Sequence, residues 1–242
     1  MIIKEFIFFD QTRNRQIPTL VYLPTIPTAN IKTVIYAPGY EGQQELAQAD
    51  REGYKWPYKN HHYLAEFFTN RGYAFVTIQH DILGDNDGLE TLDPKALQAI
   101  ARRHLWERGV ENTLFVIAEL KKQQPALSLD KFIIGGHSNG GDIAKYFANN
   151  HPQLISHVIV CDGRRCPIAT NIDIKILMFE ASDTSTDLGV IPSEGTRASP
   201  QRFNAEWMII KPKDSLHVSY CDDGEQIIKN YVCRAIDWFL EK

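Results

Sequence analysis

The sequence has no apolar run long enough to cross a membrane and no excess of positive charge. A bilayer span needs about 20 consecutive apolar residues, whereas the runs here have the length of strands. Lysine and arginine number 26 against 30 aspartates and glutamates, so the formal net charge is -4. That balance argues against a basic surface that could neutralise a nucleic-acid backbone. We therefore expect no membrane span and no nucleic acid as a partner.

Cysteine is scarce, and its spacing excludes two further classes of protein. The four cysteines form no CxxC pair, so we expect reduced thiols rather than a disulfide framework or a zinc site; they are Cys161, Cys166, Cys221 and Cys233. The amino terminus brings in Lys4 and Glu5 early, which is untypical of a secretory signal. With 242 residues, of which 43% are hydrophobic, the chain is expected to form one cytoplasmic domain over 1–242.

Short apolar runs recur along the chain and indicate buried strands. They lack the alternation of a half-exposed strand, which predicts a parallel sheet covered on both faces; they lie at 34–37, 75–78, 132–134, 158–161, 176–179 and 208–210. Stripes of helical spacing lie between them, for example Leu64, Phe67 and Phe68. The alternation predicts an α/β fold, with a doubly wound, mostly parallel sheet and helices on both faces.

Two other features of the chain complete the predicted architecture. The segments 2–9 and 19–23 are typical of an antiparallel hairpin at the sheet edge. Three segments are predicted to be long and irregular, the second with a helix near 96–104; they are 38–60, 82–110 and 181–204. Because such loops leave the carboxyl ends of strands, we expect them to line the functional site.

One motif carries the chemistry of a nucleophile. The run from Gly136 to Gly140 reads Gly-His-Ser-Asn-Gly and fits G-x-S-x-G between a predicted strand and a predicted helix. A tight turn there would expose the Ser138 hydroxyl at the helix amino terminus, and it needs glycines two residues to either side. Ser138 is therefore the predicted nucleophile.

A serine hydroxyl needs a general base, and the order of residues indicates which histidine supplies it. In this kind of site the histidine follows the last strand. Three histidines come after Ser138, and only His217 lies between the predicted last strand and the final helix; the others are His151 and His157.

The same motif predicts where an oxyanion would be bound. The Asn139 N–H lies directly after the nucleophile, at the helix amino terminus. A second donor is expected in the loop after strand 34–37, where Gly39 allows the chain to turn inward and aim the Tyr40 N–H at the site. Both N–H groups are predicted to stabilise negative charge on a substrate oxygen.

No metal site and no cofactor are predicted. His61 and His62 lack acidic neighbours at ligand spacing. His80-Asp81 with Asp85 and Asp87 is more typical of a loop at a strand end than of a metal site. The acid–base and nucleophilic residues named above need neither a metal nor an organic cofactor for their chemistry.

These residues give the chain a resemblance to the α/β-hydrolase superfamily, and within it to platelet-activating-factor acetylhydrolase and dienelactone-hydrolase-like esterases. The motifs that carry the resemblance are the serine motif, the hairpin segments 10–15 and 21–24, the loop 36–40, the segment 79–81 and the histidine segment 217–220. Dienelactone hydrolases use cysteine as nucleophile, so Ser138 favours esterase chemistry. The resemblance implies a serine hydrolase with a Ser-His-Asp triad that acts on a carboxylic ester.

The spacing of the later strands bears on the size of the substrate. About a dozen residues separate the strand at 158–161 from the next, which leaves no room for a large cap. The expected partner is therefore a small or medium ester. An amidase or peptidase with the same triad, and a non-catalytic binding protein of this fold, are the alternatives.

The acid of the triad has two candidates. Asp183 follows strand 176–179, the usual superfamily position, where Glu180 or Asp187 could substitute for it. Asp162 directly follows strand 158–161, where acetylhydrolase-like relatives carry their acid. A short tether to the strand end would position a carboxylate more tightly, so Asp162 is preferred, and Asp183 stays open.

Overall fold

The structure is a computed structural model that describes residues 1–26, 29–85, 87–89, 93, 96–168, 174–192 and 206–241. Its strands are β1 (Ile2–Asp10), β2 (Arg15–Leu23), β3 (Ile31–Ala37), β4 (Ala74–Ile78), β5 (Leu127–His137), β6 (Ile155–Cys161), β7 (Lys175–Phe179) and β8 (Glu206–Ile210). Its α-helices are α1 (Gln43–Leu46), α2 (His62–Thr69), α3 (Gln98–Ala101), α4 (Arg103–Gln123), α5 (Asn139–Asn150) and α6 (Gln226–Leu240). Short 3-10 helices span Pro57–Lys59, Pro152–Leu154 and His217–Tyr220.

The eight strands form one sheet in the order β1-β2-β4-β3-β5-β6-β7-β8. The pairs β1–β2 and β2–β4 are antiparallel, and all the others are parallel. The predicted mostly parallel sheet with an amino-terminal hairpin at its edge is thus confirmed. Because β3, β5, β6 and β7 run in the same direction, their carboxyl ends meet at one edge of the sheet.

Two hydrophobic layers cover the two faces of the sheet, as predicted. On one face α4 and α5 pack through residues such as Val116 and Phe147. On the other face α2 and α6 pack through residues such as Phe68 and Val232. Side chains alternate between the layers along each strand, which explains why the apolar runs show no polar alternation.

The prediction that 82–110 is irregular is wrong for its last part. Helix α4 begins at Arg103, and its buried side chains include Leu105 and Trp106. Glycine is unfavourable inside a helix, so Gly109 made this part of the sequence untypical of one. A Cβ at position 109 would lie 2.5 Å from the Ile143 side chain of α5. Glycine is therefore needed where the two helices approach closely. Residues 86, 90–92, 94 and 95 of this segment, and 193–204 of the third predicted loop, lie outside the described residues.

Within the described residues, no large cap interrupts the parallel strands. The 13 residues between Cys161, which ends β6, and Lys175, which begins β7, include 169–173, which lie outside the described residues. In the part of the chain that the structure describes, no helix combines the length and the apolar character that a bilayer span requires.

Candidate active site

Ser138 lies in a strained turn between β5 and α5. Its backbone has φ 55° and ψ -124°, a left-handed conformation that a serine rarely adopts. The flanking glycines allow the turn, since a Cβ on Gly136 would lie 2.2 Å from the Gly140 backbone and one on Gly140 would lie 2.0 Å from the Ala37 carbonyl oxygen. The sequence motif therefore forms the strand–turn–helix geometry that it predicts.

His217 contacts the Ser138 hydroxyl directly. The hydroxyl Oγ lies 3.0 Å from Nε2 of the imidazole, within hydrogen-bond distance. His217 begins a 3-10 helix that follows β8 and precedes α6. The structure thus brings together two residues that are 79 positions apart in the sequence.

The other imidazole nitrogen contacts Asp162. His217 Nδ1 lies 2.5 Å from Asp162 Oδ2, and the Asp162 side chain is almost fully buried. Two further donors hold this carboxylate: the Ala181 N–H at 2.9 Å and the Thr184 hydroxyl at 2.9 Å. Burial alone would raise the pKa of Asp162, but the hydrogen bonds from His217, Ala181 and Thr184 outweigh it and hold that pKa below its ordinary value. The carboxylate is therefore ionised at neutral pH.

The other acidic candidates lie near the site but not at the imidazole nitrogen. Asp183 Oδ1 accepts a hydrogen bond from the His217 backbone N–H at 2.9 Å. Glu180 accepts a hydrogen bond from the Thr186 hydroxyl at 2.7 Å, and Asp187 forms an ion pair with Arg165. Of these carboxylates, Asp162 is the one that the structure hydrogen-bonds to the imidazole.

The predicted oxyanion donors lie beside Ser138. Tyr40, Ser138, Asn139 and Asp162 line one cavity of about 200 Å³. The Ser138 N–H donates to the Cys161 carbonyl at 2.9 Å, so that group is already engaged. Within the described residues, the backbone N–H groups of Tyr40 and Asn139 donate to no protein acceptor.

The side chain of Asn139 is fixed by a hydrogen bond to a neighbouring helix. Its Oδ1 accepts a hydrogen bond from Trp106 Nε1 at 3.1 Å, and both side chains are buried. Trp106 belongs to α4, so this bond joins the start of α5 to the neighbouring helix. It orients the amino terminus of α5, whose dipole favours negative charge.

Three arginines that the sequence analysis did not single out line the same cavity. They are Arg102, Arg164 and Arg165. Arg164 Nε lies 3.6 Å from Asp162 Oδ2, and Arg165 pairs with Asp187. Arg102 has no carboxylate partner within the described chain; burial, and then the nearby Arg165, lower its pKa. The spacing of these arginines along the sequence does not predict that all three meet at one cavity.

One acidic cluster near the site is neutralised by arginine. One carboxylate oxygen from each of Asp81, Asp85 and Asp87 lies within 4.8 Å of the other two. Arg108 lies 2.7 Å from Asp81 and 2.5 Å from Asp87, and Arg15 lies 2.6 Å from Asp85. The carboxylates are thus used in ion pairs that hold the loop after β4 to α4 and β2.

Comparisons with known proteins identify the fold. No family model matches the chain, and no curated protein matches it. A dienelactone hydrolase from Anabaena variabilis is similar in structure, with a TM-score of 0.59 and 18% identity over 99% of this chain and 98% of the other. An S-formylglutathione hydrolase from Agrobacterium tumefaciens has a TM-score of 0.62 and 13% identity over 99% and 94% of the two chains.

A third solved structure of similar fold is described as lacking a lid. It is an α/β serine hydrolase without a lid from Xanthomonas campestris, with a TM-score of 0.55 and 12% identity over 98% of this chain and 94% of the other. The three similarities confirm the α/β-hydrolase fold that the sequence resemblance implied.

Proposed function

We propose that this protein is a serine hydrolase that cleaves a carboxylic ester through an acyl-enzyme intermediate. One observation carries the proposal: Ser138, His217 and Asp162 form a continuous hydrogen-bonded chain at the carboxyl edge of the sheet. The strained turn at Ser138 and the known hydrolases of the same fold support it.

The order of these hydrogen bonds indicates how acylation proceeds. His217 Nε2 removes the Ser138 proton as Oγ forms a bond with the ester carbonyl carbon. The ionised Asp162 fixes the imidazole with its Nδ1–H inward and stabilises the imidazolium that forms. The carbonyl oxygen then carries the negative charge of a tetrahedral intermediate.

The proposed oxyanion donors are the backbone N–H groups of Tyr40 and Asn139. Both residues line the cavity into which Ser138 opens, and Asn139 adds the positive end of the α5 dipole. Backbone donors of this kind are already in place before the charge develops, so they cost no reorganisation in the transition state.

Collapse of the tetrahedral intermediate completes acylation: His217 gives its Nε2 proton to the leaving alcohol oxygen as the ester C–O bond breaks. In deacylation a water molecule loses a proton to the imidazole and attacks the acyl carbon, and Ser138 recovers the proton when the acid product leaves. No metal or organic cofactor takes part in these steps.

The cavities favour a small or medium ester with a negatively charged group. The cavity of about 200 Å³ at Ser138 shares Arg102 and Arg165 with a second cavity of about 770 Å³. Arg102 is the guanidinium without a carboxylate partner in the described chain, and a substrate carboxylate would neutralise it. Such an ester would place its reacting carbonyl at Ser138 and its charge toward α3 and α4.

A covalent probe and an ester panel test the proposal. We expect a fluorophosphonate to modify Ser138 in the folded protein, and chromogenic esters of graded acyl length to be hydrolysed with a preference for short chains. The Ser138→Ala variant serves as control for both assays. Absence of labelling together with absence of ester turnover would instead identify a binding protein of this fold, and turnover of amides alone would identify an amidase.

A further inference from the structure

Two histidines and a cysteine from three distant segments line one small cavity behind the proposed catalytic residues. They are His61 before α2, His137 at the end of β5 and Cys221 after the 3-10 helix His217–Tyr220. One ligand atom from each lies within 4.8 Å of the others, and the cavity measures about 150 Å³. The mechanism above uses none of these three side chains as acid, base or nucleophile.

The hydrogen bonds of His137 direct the lone pair of one ring nitrogen toward Cys221. Its Nε2 lies 2.8 Å from the His217 carbonyl oxygen, to which it must donate. With its proton on Nε2, the neutral ring has an unprotonated Nδ1. That Nδ1 lies 3.5 Å from Cys221 Sγ. Two ligands of one tetrahedral zinc ion lie about this far apart, given metal–nitrogen and metal–sulfur distances of about 2.0 and 2.3 Å.

His61 provides independent evidence for a ligand in this cavity. The side chain is 2% exposed, and its Nδ1 has no hydrogen-bond partner in the described part of the chain. A buried polar atom without a partner is destabilising, and a bound ion would supply the partner.

We propose that His61, His137 and Cys221 bind a zinc ion through two imidazole nitrogens and one thiolate, with the fourth position open to the cavity. Neutral imidazole and thiolate are the ligands that zinc prefers, and three protein ligands with one open position form a recurrent zinc site. Zinc binds the thiolate form of cysteine, so binding transfers the Cys221 thiol proton to solvent.

The other walls of the cavity are compatible with a cation. Glu41 and Lys55 also line it, and the charge of Lys55 is balanced by an ion pair with Asp223. Sequence spacing gave no sign of this site because its ligands lie 76 and 84 residues apart and none is followed by a second ligand at close spacing. The site adds to the proposed hydrolase activity and does not depend on it.

Titration with zinc chloride alone tests the proposal without any activity measurement. The protein is first treated with a chelator, exchanged into buffer without it, and titrated in competition with a chromophoric zinc indicator. We expect one zinc ion per chain, and with cobalt(II) in place of zinc, a thiolate-to-cobalt charge-transfer band in the near ultraviolet.

The matched variants are Cys221→Ser and Cys233→Ser, two half-buried thiols of which only the first belongs to the cluster. Cys221→Ser should weaken zinc binding at least about 100-fold and remove the cobalt band, whereas Cys233→Ser should match the wild type. His61→Gln should weaken binding with the circular dichroism spectrum unchanged. The proposal is wrong if the wild type binds no zinc at micromolar concentration, or if Cys221→Ser binds as tightly as Cys233→Ser.

Discussion

The carboxylate of Asp183 holds the backbone of His217, with 2.9 Å between Oδ1 and the amide nitrogen. Asp162 holds the imidazole of the same residue, with 2.5 Å between Oδ2 and Nδ1. The two acids that the sequence left open thus contact different parts of one histidine. Under the proposed mechanism, Asp162 governs the tautomer of the base and Asp183 governs its position.

The two acids should therefore differ in mutagenesis. Asp162→Asn should cut kcat by up to about 10⁴-fold, because the imidazole then adopts the wrong tautomer. Asp183→Asn keeps an oxygen that can accept from the His217 N–H, so its kcat should stay within about tenfold of the wild type. Steady-state kinetics with one chromogenic ester measures both. A dead Asp183→Asn beside an active Asp162→Asn would reverse the two roles.

The nucleophile and the base should behave as one unit. Ser138→Ala, His217→Ala and the double variant should each lose at least about 10³-fold in kcat, and the losses should not add. Ser156→Ala is the matched control, since its hydroxyl lies at the start of β6 and donates to the Phe132 carbonyl. Retention of a tenth of the activity in either single variant would contradict the mechanism.

Arg102 should select esters that carry a negative charge. Arg102→Gln is expected to raise KM about tenfold for an ester with a carboxylate on its acyl chain, which corresponds to about 1.4 kcal/mol. KM for an uncharged ester of equal length should change little. Arg103→Gln is the control, because the neighbouring Arg103 is exposed and pairs with Glu107. Equal effects of the two variants would exclude a specific role for Arg102.

The glycines of the serine turn should be needed for folding. Gly140→Ala places a Cβ 2.0 Å from the Ala37 carbonyl oxygen, so the turn or β3 must shift. We expect a loss of at least about 3 kcal/mol in the free energy of unfolding, as for other large steric changes in a core. In Gly39→Ala the new Cβ would lie 3.5 Å from the Ser138 Cβ, an ordinary contact. Urea denaturation should show Gly39→Ala close to the wild type.

Buried histidines should make the fold sensitive to mild acid. The pKa is lowered by burial to about 4 for His61 and to about 3 for His80 and His137. An unfolded histidine titrates near 6.5, so near pH 5 the unfolded chain binds up to three more protons at these sites. Burial raises the pKa of Asp81 to about 6, which gives the folded chain one proton more near pH 5.

Near pH 5 the unfolded chain therefore binds about two more protons at these four sites than the folded chain does. The free energy of unfolding should therefore fall as the pH drops from 6.5, at a slope approaching about 3 kcal/mol per pH unit. Urea denaturation at pH 7.5, 6.5 and 5.5 measures this slope. His80→Gln removes one of the buried histidines, so it should reduce the slope by the contribution of about one proton. Stability that stays constant over this range would show that these histidines bind protons equally in both states.

Local sequence determined the mostly parallel sheet, the alternation of strands and helices along the chain, and the serine turn. A strand buried on both faces needs an uninterrupted apolar run, and a turn with a left-handed serine needs glycine on both sides, so both leave a short pattern in the chain. The beginning of α4 escaped prediction because Gly109 is explained only by the approach of Ile143 from another helix.

Only the tertiary structure decided which groups meet at the carboxyl edge. Asp162 follows β6 and Asp183 follows β7, and these neighbouring strands end side by side, so sequence position could not say which carboxylate reaches the imidazole. The same holds for His61, His137 and Cys221, which no spacing connects. Contacts between distant segments depend on strand register, loop path and side-chain packing together. A local pattern of residues determines none of these three properties.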